Sequence, residues 1–291
     1  MSERMFDRFR KGGQPQRLTD PATGALQPRD AGSGSGPRIT EAEVLAAIER
    51  VPSLPAVVTQ ILSMVGKERV DAHDMEALIE RDMVIAGRLL KLVNSHFYGL
   101  PNSISSIQQS VAIVGFNSLR SLVLAASAAG ILQAQLSAYG YEGTGLWKNS
   151  VVVASLAKEV AMQAGLDREL ADEYFIAGLL RDVGMLVLGP FLVRQGKSFR
   201  RGHPDKDLLV AERRAVGYDH CWVGERIARR WQLPDRLRFV ITKHHRIPKD
   251  CSPEDMQLLA SVRLAERLTC KANVGLCDDH FFPTQVDAVL L

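Results

Sequence analysis

Only four cysteines occur in the 291 residues, Cys221, Cys251, Cys270 and Cys277, and no two of them form a C-x-x-C pair. Neither a disulfide framework nor a zinc ribbon is therefore indicated, and a reducing cytosol is the expected compartment. The chain also lacks any run approaching the ~18 uninterrupted apolar residues of a membrane span. Its start, Met1 to Lys11, is charged where a secretory signal would be apolar. A cytoplasmic, soluble protein without a membrane partner is expected. No stretch alternates apolar and polar residues convincingly, which argues against strands. The glycine-rich Tyr139-Gly140-Tyr141-Glu142-Gly143-Thr144-Gly145 lacks the Lys-Ser/Thr of a P-loop, so it reads as a connector before a helix rather than a phosphate cradle.

What the chain does have is enough apolar residues, 46%, to bury a full core. Its net charge of +3 is unevenly placed. Residues 1–38 carry seven Lys/Arg against four acids, and residues 194–249 carry fifteen against six. The second segment is thus a basic stripe of net +9, offset by −9 in the remainder. Arg226, Arg229, Arg230, Arg236, Arg238 and Lys243 are its prominent members and the candidate surface for an acidic partner. The bland alternative is a solvated face. No helix-turn-helix signature accompanies the stripe, so nucleic acid is not the expected partner. Cys277-Asp278-Asp279-His280 contains metal-ligating types, but its spacing matches no metal pattern and it reads as a polar turn.

Residues 1–38 contain Gly12-Gly13, Pro15, Pro21, Pro28 and Gly32-Ser33-Gly34-Ser35-Gly36-Pro37 with few apolar residues, the composition of a disordered tail and linker. Beyond it the pattern is helical. Thr40 with Glu43 forms a capping box, and Pro55 opens a helix with Val57, Val58, Ile61, Leu62 and Val65 at helical spacing, closed by Gly66. Asp71 with Asp74, Asp82, Ser105 with Gln108, and Asn117 are read as the following starts. Asn94, Ser95, Tyr98 and Asn102 read as hydrogen-bonding residues of a turn through Gly99-Leu100-Pro101. Helices follow from Leu146 to Gly165, from Asp167 through Leu179, and through Met185 to Leu188 up to Gly189-Pro190. After a polar turn at Gly202-His203-Pro204, further helices pass through Leu208 to Val210, from His220 to Trp231, from Pro234 to His244-His245, and from Ser252-Pro253 through Leu268. The expected fold is all-α, a multi-helix bundle.

Gly178-Leu179-Leu180-Arg181-Asp182-Val183-Gly184 resembles the Gly-Leu-Leu-His-Asp-Ile-Gly segment of the HD superfamily, with arginine where the histidine stands. The ordered series Pro52-Ser53-Leu54-Pro55, Glu80-Arg81-Asp82, Leu89-Leu90-Lys91-Leu92-Val93-Asn94-Ser95, Phe97-Tyr98-Gly99, Ile104-Ser105-Ser106-Ile107, Ala112-Ile113-Val114-Gly115 and Leu119-Arg120 is similar to the HDOD domain, the HD-related output domain, over roughly residues 45–270. The resemblance implies an N-terminal helical part, residues 39–135, packed on an HD-like helical part with a C-terminal extension, residues 136–291.

An HD phosphohydrolase needs imidazoles and carboxylates converging on a divalent ion that makes a hydroxide nucleophile. By the resemblance those positions fall at Asn149, Arg181, Asp182 and Glu266. Asn149 is a feeble ligand, and Arg181 is none because it stays protonated. A guanidinium between Asp182 and Glu266 would instead supply the positive charge that a metal otherwise supplies. The alternative is an arginine pointing to solvent. His220, His244 and His245 match histidines that relatives use for metal and could hold a residual ion or ligand. On a helix, His244 and His245 point different ways, so at most one of them is expected to face the pocket.

The expected function is that of a non-catalytic bacterial signal-transduction output module acting through protein–protein interaction, with no catalytic residue, metal or cofactor and with signalling proteins as partners. Two alternatives remain: a divergent metal-dependent phosphohydrolase using the surviving His, Asp and Glu residues, and an anion or nucleic-acid binder working through the basic stripe.

Overall fold

A computed structural model describes residues 39–63, 72–94, 103–134, 136–141, 143–199, 207–248 and 250–272. The expected tail, the Gly66 and Asp71 helix ends, Ser95, Tyr98 and Asn102, the His203 turn and the Cys277–His280 cluster lie outside the described residues. Among those described, thirteen α-helices and one 3-10 turn make up the regular structure, and the only extended pairing is an isolated bridge between Leu136 and Tyr141. The fold is all-α.

Helix α1 (Glu41–Glu49) begins as its capping box dictates: the Thr40 hydroxyl accepts from the Glu43 backbone N–H, and Glu43 accepts from the Thr40 N–H at 2.8 Å. Helix α2 (Ala56–Ser63) buries Val57, Val58 and Ile61, and α3 (Ala72–Glu80) buries Met75 and Ile79. Asp82 starts α4 (Met83–Val93) by accepting from the N–H groups of Val84 and Ile85. Asn94 then ties two points of the chain, donating to the Ile104 carbonyl at 2.8 Å and accepting from the Ile104 N–H at 2.7 Å. Two expected caps are displaced. Helix α5 (Ile107–Val114) is capped by Ser106 on the Gln109 N–H, one residue beyond the expected Ser105, because Ser106 is the last residue with extended backbone. Helix α6 (Phe116–Leu132) starts directly after Gly115 with no side-chain cap, so Asn117 lies inside it.

Helices α7 (Gly145–Gln163) and α8 (Arg168–Leu180) form the centre of the second half, with Asp167 capping α8 through the Leu170 N–H at 2.9 Å. Helix α9 (Met185–Arg194) continues through Gly189-Pro190, where the sequence suggested an end. Pro190 removes one helical N–H donor but lies on the exposed side, while Leu188, Phe191 and Leu192 are buried and hold the helix to the core. Then follow α10 (Leu208–Val216), α11 (His220–Arg230), α12 (Asp235–Lys243) and α13 (Pro253–Lys271), with Asp207, Asp219 and Ser252 as side-chain caps of α10, α11 and α13.

Helix α8 is the hub, packed against α6, α7, α12 and α13. Its approach to α7 needs Gly178, since a Cβ there would lie 2.9 Å from the Ala154 Cα. The stretch Leu170–Arg194 is apolar enough to suggest a membrane span, yet its most apolar window is 83% buried inside the protein. A turn at Arg181–Gly184 also breaks it between α8 and α9. Its hydrophobicity fills the core. One apolar cluster runs from Val44 in α1 to Ala265 in α13.

Candidate functional site

The turn after α8 places Arg181 and Asp182 side by side inside the protein, 1% and 2% exposed. Two arrangements meet there. On one side, the Arg181 guanidinium donates to the Gly178 carbonyl at 2.7 Å and to Asn149 Oδ1 at 2.5 Å. It stands 2.8 Å from Asp182 Oδ2 and 3.4 Å from Glu266 Oε1. Asn149 comes from α7 and Glu266 from α13, so the arginine joins both helices to the end of α8. Burial alone would lower the pKa of Arg181, but Asp182 and Glu266 raise it above the ordinary value, so the group is a cation.

On the other side of Asp182 lie the histidines. His220, the first residue of α11, places Nε2 3.6 Å from Asp182 Oδ1, and His244, which follows α12, places Nε2 3.2 Å from the same oxygen. The two Nε2 atoms are 3.2 Å apart. His245 joins them, and one donor atom from each of Asp182, His220, His244 and His245 lies within 4.8 Å of all the others. This corrects the expectation that at most one of the adjacent pair faces the pocket. Helical spacing separates neighbours only within a helix, and α12 stops at Lys243, so His244 is a cap residue and His245 lies on the turn beyond it. Glu266, by contrast, belongs to the arginine side and is not in this group.

Two residues that the sequence reading passed over define the chemistry. Glu212, in α10 and fully buried, sets both carboxylate oxygens against His220 Nδ1 at 2.9 and 2.8 Å. Its Oε2 also accepts the His220 backbone N–H at 2.9 Å, and its Oε1 accepts from the Tyr139 hydroxyl at 2.6 Å. The segment Tyr139–Gly145, read as a connector, thus delivers a buried phenol to the site. The only signal for Glu212 in the sequence was an acid eight residues before His220. His244 Nδ1 faces the carbonyls of Val240 and Ile241 at 3.2 and 3.1 Å. Each of these rings therefore directs Nδ1 at an oxygen partner and turns Nε2 toward Asp182.

The electrostatics follow from this packing. Burial pushes the Asp182 carboxyl up, but Arg181, His244 and His220 hold it well below the carboxylate range. Burial opposes charge on His220 too, yet Glu212 lifts it well above the usual imidazole value. His244, also opposed by burial, is pushed up to about 10 by Cys221 and Asp182. Burial and the two neighbouring imidazoles keep His245 far below the usual range, hence neutral.

The same atoms fit a metal. Four donors about 2.1 Å from a tetrahedral centre lie about 3.4 Å apart, and the triangle of Asp182 Oδ1, His220 Nε2 and His244 Nε2 has sides of 3.6, 3.2 and 3.2 Å. A carboxylate with three imidazoles suits zinc, iron(II) or another transition ion better than magnesium or calcium. The lost positions, Asn149 and Arg181, are not part of this set.

The basic stripe is bound largely within the protein. Arg226 stacks on Trp222, 3.2 Å from the ring centroid, and lies near Glu225. Arg229 pairs with Glu225, Arg238 with Asp235, and Arg236 with Glu173 and Asp255. Arg230 reaches α1, pairing with the Glu49 carboxylate and donating to the carbonyls of Glu49 and Val51 at 3.1 and 2.6 Å. Lys243 is exposed. Charge reversal should consequently separate two adjacent residues. Arg230→Glu is expected to lower stability by about 1–3 kcal/mol, because two backbone carbonyls lose their donor and two acids are brought together. Arg229→Glu, 68% exposed at the side chain, is expected to change it by less than about 1 kcal/mol. Chemical denaturation of the two variants measures the difference, and equal midpoints would remove the structural role of Arg230.

A bundle of this kind, with an Asp that follows α8 and histidines from the start of α11 and the turn after α12 converging on it, defines an HD-type helical protein with arginine in the His-Asp position. The HDOD domain profile matches residues 51–247, more than half of the chain. The chain belongs to the HDOD domain family. It is similar to the crystal structure of an HDOD domain protein of unknown function from Geobacter sulfurreducens, with 26% identity, a TM-score of 0.66, and coverage of 80% of this chain and 78% of that one. A Shewanella amazonensis SB2B structure named as a candidate phosphohydrolase shares the fold at 22% identity and a TM-score of 0.60, covering 79% and 81% of the two chains. An uncharacterized protein of Treponema pallidum (strain Nichols) is 27% identical over 234 residues. That match takes in 79% of this chain and 44% of the relative, so the chain spans less than half the length of that curated protein.

Proposed function

We propose that this HDOD protein is a non-catalytic signalling module that acts by binding regulatory proteins. The observation that carries the reading is the Arg181 network. Its guanidinium occupies the space between Asn149, Asp182 and Glu266 where an HD phosphohydrolase would assemble ligands for substrate activation. A fixed cation there neutralises the carboxylates but exchanges neither water nor proton at neutral pH, so it generates no hydroxide nucleophile. The site is also inside the protein, with Asp182, His220 and His244 each no more than 2% exposed. Partner contact falls to the surface, where Lys243 and Arg229, the latter paired with Glu225, face outward.

Purified full-length protein supplied in turn with manganese, iron(II), zinc and magnesium is expected to hydrolyse neither bis(p-nitrophenyl) phosphate nor a cyclic dinucleotide above the metal-only blank. Turnover that Asp182→Ala abolishes would overturn the reading. A second reading, metal binding without turnover, is favoured by the Asp182, His220 and His244 triangle and is compatible with the first. Nucleic-acid binding is less supported, since five of the six prominent stripe residues have acidic partners within the protein.

A further inference from the structure

We infer that Glu212 is a positioning residue, braced by Tyr139, that prepares His220 to bind a single divalent transition ion together with Asp182, His244 and His245. The inference rests on the metal-binding reading and goes beyond it by assigning the support of the site and the class of ion.

The geometry of Glu212 is over-determined. Its carboxylate, fully buried, receives the Tyr139 hydroxyl, the His220 backbone N–H and the His220 ring Nδ1–H. At the start of α11 it takes the His220 N–H, while Asp219 accepts the Trp222 N–H at 2.8 Å, so capping accounts for one of its three hydrogen bonds. Burying a carboxylate costs several kcal/mol of hydration, and an apolar side chain would fill the same volume without that cost. What the carboxylate does that an apolar residue cannot is fix the imidazole tautomer. With Nδ1 committed to Glu212, Nε2 of His220 is turned toward Asp182, His244 and the Cys221 Sγ, 3.7 Å away. An anion behind the ring also raises its basicity as a ligand, the usual outer-shell arrangement of metal-binding histidines.

Tyr139 completes the brace from a different part of the chain. Its ring is buried against Phe199, with centroids 6.1 Å apart, and its hydroxyl holds one Glu212 oxygen in place. Gly184 lets the end of α8 approach α11 closely enough to bring Asp182 within 3.6 Å of the supported imidazole. The donor set, one carboxylate and three imidazoles, takes zinc or iron(II) in preference to magnesium.

The experiment is a competition titration of zinc, with magnesium as the comparison, against a chromophoric chelator in full-length wild type, Glu212→Gln and Tyr139→Phe. Glutamine keeps the size and hydrogen-bonding reach of Glu212 and removes its charge. The expected result is zinc binding by wild type and a loss of about 10–100-fold in Glu212→Gln, with a smaller loss in Tyr139→Phe and no comparable magnesium binding. In the zinc-loaded protein, nitrogen NMR is expected to find His220 protonated at Nδ1 and ligated through Nε2. Equal zinc affinity in all three proteins overturns the role of Glu212 and leaves the metal reading intact. Absence of zinc binding in wild type overturns both. If Glu212→Gln fails to fold, Tyr139→Phe, which leaves the carboxylate in place, decides by whether its affinity falls.

Discussion

Alanine at position 184 is expected to be among the most damaging single substitutions in the chain. Helix propensity alone predicts the opposite, because Gly184 has right-handed backbone (φ −65°, ψ −23°) and alanine would favour that conformation by up to about 1 kcal/mol. Space decides the sign. An added Cβ would meet the His220 backbone carbonyl and lie 2.7 Å from the Gly224 nitrogen, both main-chain atoms of α11 that no rotamer change can move. Relief requires α9 and α11 to separate, opening a core in which Val183, Leu188, Val223 and Ile227 are fully buried. Overpacking of this kind costs about 3 kcal/mol or more, which for a domain of this size corresponds to a fall of roughly 6–12 °C in Tm. A thermal melt followed by circular dichroism measures it. A midpoint within about 2 °C of wild type would show that the two helices are not held at this distance. The separation would also draw His220 away from Asp182, so zinc affinity is expected to fall with stability.

The legibility of this fold in its sequence varied with the range of the interaction. Helix starts set by local hydrogen bonds were readable: Thr40, Asp82, Asp167 and Ser252 all cap as their types and spacing suggest. The misplaced starts, at Ser106 and after Gly115, lie where two adjacent polar residues compete or where backbone direction replaces a cap. Pro190 was misread because propensity speaks against it while the buried neighbours that override propensity are distant in sequence. In the site, Asn149, Arg181, Asp182 and Glu266 are singled out by resemblance to the HD motifs, and the structure brings the four side chains together. Glu212 and Tyr139 are not. Their roles depend on contacts 8 and 73 residues apart along the chain, and an isolated Glu or Tyr in a helical sequence carries no mark of the imidazole it will support. The pairing of His244 with His245 was missed for a different reason: whether adjacent side chains diverge depends on whether the helix ends between them.

Removal of the Arg181 side chain is expected to rival Gly184→Ala in effect by a largely electrostatic route. In wild type the guanidinium faces Asp182 at 2.8 Å, Glu266 at 3.4 Å, Asn149 at 2.5 Å and the Gly178 carbonyl at 2.7 Å, all with the arginine 1% exposed. Arg181→Ala leaves two buried carboxylates without their shared cation and opens a cavity at the junction of α7, α8 and α13. Breaking a buried pair by deleting one partner costs about 3–5 kcal/mol, most of it the uncompensated charge that stays behind. Arg181→Met refills much of the volume and should recover only the packing part. Adding Glu266→Gln to Arg181→Met removes one of the stranded charges, and the double variant is expected to be more stable than Arg181→Met alone by about 1–3 kcal/mol, although each substitution alone is destabilising. That reversal is the diagnostic outcome, because a merely space-filling arginine would give additive losses. Chemical denaturation of the wild type, the two single variants and the double variant completes the cycle, and additivity within about 0.5 kcal/mol would show that Arg181 and Glu266 do not act as a pair.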